Sequence, residues 1–108
     1  MSPQELVDDA TFDFTMGEHE AALQKLDQAV QLDAACFPAW HAMAEIRFDR
    51  GEYEQALEAG TIAVGLMEED VHIHTTLSRI WMELGNKEEA EKHGARARVL
   101  GWKEQLKE

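Results

Sequence analysis

The chain has 108 residues, enough for one domain, and its 44% hydrophobic content excludes a disordered chain. Its net charge of −12 makes a phosphate backbone a poor partner. A single cysteine, Cys36, excludes an internal disulfide or a cysteine-built metal site, and its place between two predicted helices suits a small packed residue.

The first predicted helix starts at Pro3, capped by Ser2, and runs to about Met16 with Leu6, Ala10 and Phe14 on one face. Gly17 ends it. A second helix spans about Glu20 to Leu32, with Ala22, Leu23, Leu26, Ala29 and Val30 as its apolar stripe. Pro38 opens a third, carrying Trp40, Met43, Ala44, Ile46 and Phe48, and Gly51 stops it. The fourth runs from Tyr53 to about Met67. Gly60 and Gly65 each cost it about 1 kcal/mol relative to Ala, so a neighbour is expected to need the space. Glu68-Glu69-Asp70 supplies the cap for a fifth helix, about Val71 to Leu84. After Gly85-Asn86 a sixth runs from Lys87 to about Leu100, where Gly101 is expected to interrupt it. Trp102 and Leu106 then begin a short extra turn.

These helices repeat. Gly17, Gly51 and Gly85 are 34 residues apart, and so are Ala22, Ala56 and Ala90, and Ala29, Ala63 and Ala97. A fixed period of this size marks an array of helix pairs, each unable to bury its apolar face alone. The pattern closely resembles the tetratricopeptide repeat. The large early residue of that family's unit is Leu6, Trp40 or, less typically, His74, and the small one after it is Ala10, Ala44 or Ser78. The resemblance implies an all-α fold of three helix-turn-helix repeats stacked as a right-handed superhelix. Residues 1–108 form a single domain, with repeats at about 3–36, 37–70 and 71–104. In the last helix, Glu91 and Arg98 replace Leu23 and Leu57, and Val30 and Val64. Such charges look like capping of the array. Trp102 is left either to close the end or to serve a homodimer contact.

First-helix residues line a concave groove in that family. Here this implies a peptide-binding groove of Val7, Thr11, Phe14, His41, Glu45, Phe48, His72, Thr75, Arg79 and Met82. Phe14, Phe48 and Met82 recur at the 34-residue period and form one apolar stripe. The expected function is a non-enzymatic adaptor or scaffold that binds a peptide or partner protein. Self-assembly into a homo-oligomer, or service as a cytoplasmic chaperone for an exported client, is the alternative. Acidic surface favours a neutral-to-basic ligand with apolar anchors. The family's heat-shock subgroup grips an acidic tail with cations; the matching positions here are Val7, Thr11, Ala42, His72 and Thr76, none a fixed cation. Heat-shock chaperone tails are therefore not expected to bind.

No phosphate loop, nucleophile elbow or zinc-binding helix motif is present, so no enzyme, cofactor or metal is expected. His72 and His74 sit two apart and cannot chelate together on a helix; His41 and His72 are expected to come near each other, close to Glu45. Asp9 and Asp13, one turn apart, are expected to be bridged by Arg47. No basic-then-apolar leader and no stretch of about 20 apolar residues is visible, so a cytoplasmic setting is expected, with neither membrane nor nucleic acid as partner.

Overall fold

The computed structural model describes residues 1–107. Its six helices are α1 (Pro3–Thr15), α2 (His19–Leu32), α3 (Phe37–Asp49), α4 (Tyr53–Leu66), α5 (Val71–Glu83) and α6 (Lys87–Leu106). No strand occurs among the described residues. Local chemistry fixes the ends. The Ser2 hydroxyl accepts from the Glu5 N–H while the Glu5 carboxylate accepts from the Ser2 N–H. Asp70 accepts from the Ile73 N–H in the same way. Gly17, Gly51 and Gly85 all have φ near +80°, a left-handed turn in which a side chain is strained.

The repeated alanines explain how close the helices come. Ala22, Ala56 and Ala90 are buried, as are Ala29, Ala63 and Ala97. Each lets one hairpin close without a bulky side chain between its helices. The core has two clusters. Leu6, Ala10, Leu23 and Leu26 pack with Ala39 and Ile46; Ala44, Ala56 and Ala63 pack with Ile73, Leu77 and Ile80. Met43 packs against both and joins them.

Contacts between repeats are one-sided. α1 touches α3 and α3 touches α5, whereas α2 and α4, and α4 and α6, do not touch among the described residues. An array packed more tightly along its first helices must curve towards them. The inner wall is therefore α1, α3 and α5.

Two expectations need correction. Gly101 does not interrupt α6, which continues to Leu106. One glycine costs a helix only about 1 kcal/mol, and buried Leu100 just before it holds the helix on the core. Arg47 does not bridge the aspartates. Its guanidinium donates to Glu52 at 2.8 Å, while Asp13 pairs with Lys25 of α2 at 2.6 Å. Arg47 and Asp13 each have a partner inside their own hairpin, which leaves neither charge free to bridge the boundary. Of the two glycines of α4, only Gly60 has a crowded neighbour; nothing lies within 4 Å of a Cβ placed on Gly65.

Candidate functional site

The inner wall holds two adjoining clefts. One, of about 200 Å3, is lined by Phe14, Glu45, Phe48, Asp49, Thr76 and Arg79. The other, of about 440 Å3, is lined by Phe48, Ser78, Arg79, Met82 and Glu83. Phe48 and Arg79 belong to both, so the clefts run on from the first repeat to the third. Periodicity aligned these residues: Phe14, Phe48 and Met82 occupy one register of α1, α3 and α5, and parallel neighbours bring one register side by side.

Polar groups are fixed along this wall. The Thr76 hydroxyl donates to the His72 carbonyl at 3.0 Å, so its lone pairs are free to accept. His41 Nε2 lies 3.1 Å from that hydroxyl and 3.2 Å from Glu45 Oε1. Both neighbours are acceptors, so Nε2 carries the hydrogen. This hydrogen bond holds the Glu45 carboxyl below the usual carboxylate range, against the opposing effect of burial. The fixed positive charge of Arg79 adds to the lowering. Arg79 lies over the Phe48 ring, 4.5 Å from its centroid.

Most of the expected groove residues lie on this wall. Phe14, Glu45, Phe48, Arg79 and Met82 line the clefts, and His41 orients Glu45 from beside them. Thr11, His72 and Thr75 are exposed; Thr11 and Thr75 turn their hydroxyls back to the carbonyls of Val7 and Val71. Val7 is misplaced in that set. It is buried in the first core cluster, against which Ala42 of α3 packs, and has no surface to offer. His41 reaches Thr76 across the repeat boundary. Among the described residues no group of three or more metal-ligating side chains is assembled. Among the described residues, no helix is long and apolar enough to cross a membrane.

One arrangement was hidden in the sequence. His74 is buried where the other repeats carry Leu6 and Trp40. Its Nε2 donates to the Glu68 carbonyl at 2.8 Å, which leaves Nδ1 as an acceptor for His93 Nδ1–H at 3.0 Å. The rings stack with centroids 5.3 Å apart. Burial, and then the His74 ring, push the His93 imidazole below the ordinary histidine value, opposed by Glu89. A polar residue at a core register was the available signal; its partner, 19 residues away on the next helix, was not marked.

No protein-family model matches the sequence, and no curated protein matches it. Solved structures do. The second TPR of Spaghetti (RPAP3), bound to the HSP90 peptide SRMEEVD, superposes with a TM-score of 0.89 at 19% identity, covering 93% of each chain. The fold is that of a tetratricopeptide-repeat domain. MamA superposes with a TM-score of 0.91 at 19% identity over 97% of this chain, which spans 61% of MamA's length. The Yersinia enterocolitica type III secretion translocator chaperone SycD gives 0.85 at 17% identity, over 91% of this chain and 74% of its own. At these identities the likeness is one of fold.

Proposed function

We propose that residues 1–108 act as one tetratricopeptide domain, a non-enzymatic protein-interaction module that holds a peptide or partner segment against α1, α3 and α5. The observation that carries this reading is the pair of adjoining clefts sharing Phe48 and Arg79. An apolar stripe edged by fixed polar groups suits an extended chain with anchoring side chains. Glu45, Asp49 and Glu83 stand along the same clefts, against the single guanidinium of Arg79. The ligand is therefore neutral to basic, with apolar anchors for Phe14, Phe48 and Met82. Fold neighbours support the general role: the Spaghetti domain is bound to a peptide, and SycD is a chaperone.

An acidic chaperone tail is not the ligand we propose, despite the peptide in the Spaghetti domain. Of the positions matching the family's cationic clamp, Val7 and Thr76 are buried, Thr11 and Ala42 are uncharged, and His72 is an exposed imidazole rather than a fixed cation. A terminal carboxylate needs fixed cations, which these positions lack.

The test is affinity selection from a random peptide library, followed by titration of the selected peptides. Basic, apolar sequences should emerge, and Glu45→Lys with Asp49→Lys should weaken them at least tenfold without loss of helicity. Selection of acidic peptides, or binding indifferent to both reversals, would sink the proposal. Phe48 packs partly against the second core cluster, so Phe48→Leu is a safer probe of the anchor than Phe48→Glu.

A further inference from the structure

The two end faces of the array match each other in register and in charge. At the first junction between repeats, Leu23, Leu26 and Val30 of α2 pack in one cluster with Ala39, Met43 and Ile46 of α3. At the second, Leu57 and Val64 of α4 pack with Ile73, Leu77 and Ile80 of α5, and Gly60 lies against Leu77 and Ile80. One period further on, the rear face of α6 presents Glu91, Gly94 and Arg98. One period before the first junction, the front face of α1 presents Glu5, Asp9 and Phe12.

Phe12 is the telling residue. Its counterparts Ile46 and Ile80 are 2% and 0% exposed, yet Phe12 is 65% exposed. A large aromatic side chain thus stands at a register that is core in the other repeats, with nothing on it. α4 and α5, joined by a short connection, run antiparallel. Val64 therefore belongs beside Ile73, and Leu57 beside Ile80. The same geometry sets Arg98 beside Glu5, Gly94 beside Asp9, and Glu91 beside Phe12. The cation meets the carboxylates, and the one acidic residue of the rear face meets the ring.

We propose that a second copy of this chain docks head to tail. The front of α1 would seat on the rear of α6, continuing the stacking of the repeats across copies, with Arg98 paired to Glu5 and Asp9. The charge distribution favours this mode over a symmetric contact of acidic bodies. Residues 1–70 carry three basic residues against sixteen acidic ones, and residues 71–108 carry seven against six. A heterologous contact of this kind does not close after two copies, so it builds assemblies larger than a dimer, and open chains where its rotation closes no ring. It uses neither Phe14, Phe48 nor Met82, and stands independently of the groove.

Sedimentation velocity over a concentration series tests it. At low salt the wild-type chain should grow past a dimer, and high salt should reverse this. Arg98→Glu and Asp9→Lys should each weaken association at least tenfold, with helicity kept because both side chains are exposed. Mixed in equal amounts, the two variants should assemble again, since each then meets an opposite charge. A wild-type chain that stays monomeric throughout, association that both variants leave intact, or a mixture that fails to assemble, overturns the proposal.

Discussion

The Arg79 guanidinium of α5 covers the Phe48 ring of α3, 4.5 Å from its centroid, and so links the second and third repeats across the inner wall. The contact is partly exposed and contributes about 0.5–1 kcal/mol. Its larger effect is electrostatic. Arg79 stands in both clefts and helps to keep Glu45 ionised, so it opposes a cationic ligand. We predict that Arg79→Gln raises affinity for a basic, apolar peptide severalfold at low salt. Glu45→Gln should lower it. Fluorescence anisotropy checks both, and a loss of affinity in Arg79→Gln would show that the guanidinium contacts the ligand directly.

His93 makes stability depend on pH. The His93 imidazole is held below its ordinary value, chiefly by burial, so the unfolded chain takes up this proton more readily than the folded one. The contribution is complete above the unfolded histidine value of about 6.5 and is lost as pH falls through it towards the folded value. Glu45 adds a later step. Its carboxyl is lowered mainly by the His41 hydrogen bond, so its contribution is present above the unfolded value and lost as pH falls through the folded one. Melting curves should therefore fall first in the histidine range and again in the carboxylate range. The double variant His74→Leu/His93→Leu should lose the first step and stay within about 1 kcal/mol of wild type at neutral pH. His93→Ala alone should cost about 1–3 kcal/mol, because it leaves buried His74 without its donor. A first step that survives the double variant would assign it to another group.

Local geometry was legible where one residue type decides it. A glycine with positive φ, an alanine between helices and a Ser2–Glu5 cap each act within a turn of their own position, and the period of 34 multiplied the signal. The alignment of Phe14, Phe48 and Met82 was legible for the same reason, since one register on parallel helices becomes one line in space. Choices among partners were not. Asp13 had Arg47 and Lys25 within plausible reach, and only the packed hairpin shows that Lys25 takes it. His74 looked like an awkward core residue until α6 brought His93 beside it. The length of α6 was misjudged because a glycine's cost is small against the burial of Leu100, a balance that no local pattern displays.

Gly60 and Gly65 of α4 offer an internal comparison. Alanine in place of an exposed helical glycine gains up to about 1 kcal/mol. At Gly65 nothing lies within 4 Å of the added methyl, so Gly65→Ala should stabilise by about 0.5–1 kcal/mol, reduced by its place near the helix end. At Gly60 the methyl would stand 2.9 Å from Leu77 Cδ2, and Ile80 Cδ1 is 3.7 Å away. Leu77 is 1% exposed and has no open space to retreat into. Overpacking of this kind costs about 1–3 kcal/mol, which exceeds the helical gain. Gly60→Ala should therefore be destabilising and Gly65→Ala stabilising, with opposite shifts in urea midpoint at an unchanged denaturant slope. Leu77→Ala added to Gly60→Ala should recover part of the cost relative to Leu77→Ala alone, since the new methyl then fills the space the leucine leaves. Stabilising shifts at both glycines would mean that α4 and α5 pack more loosely than the junction between the second and third repeats requires.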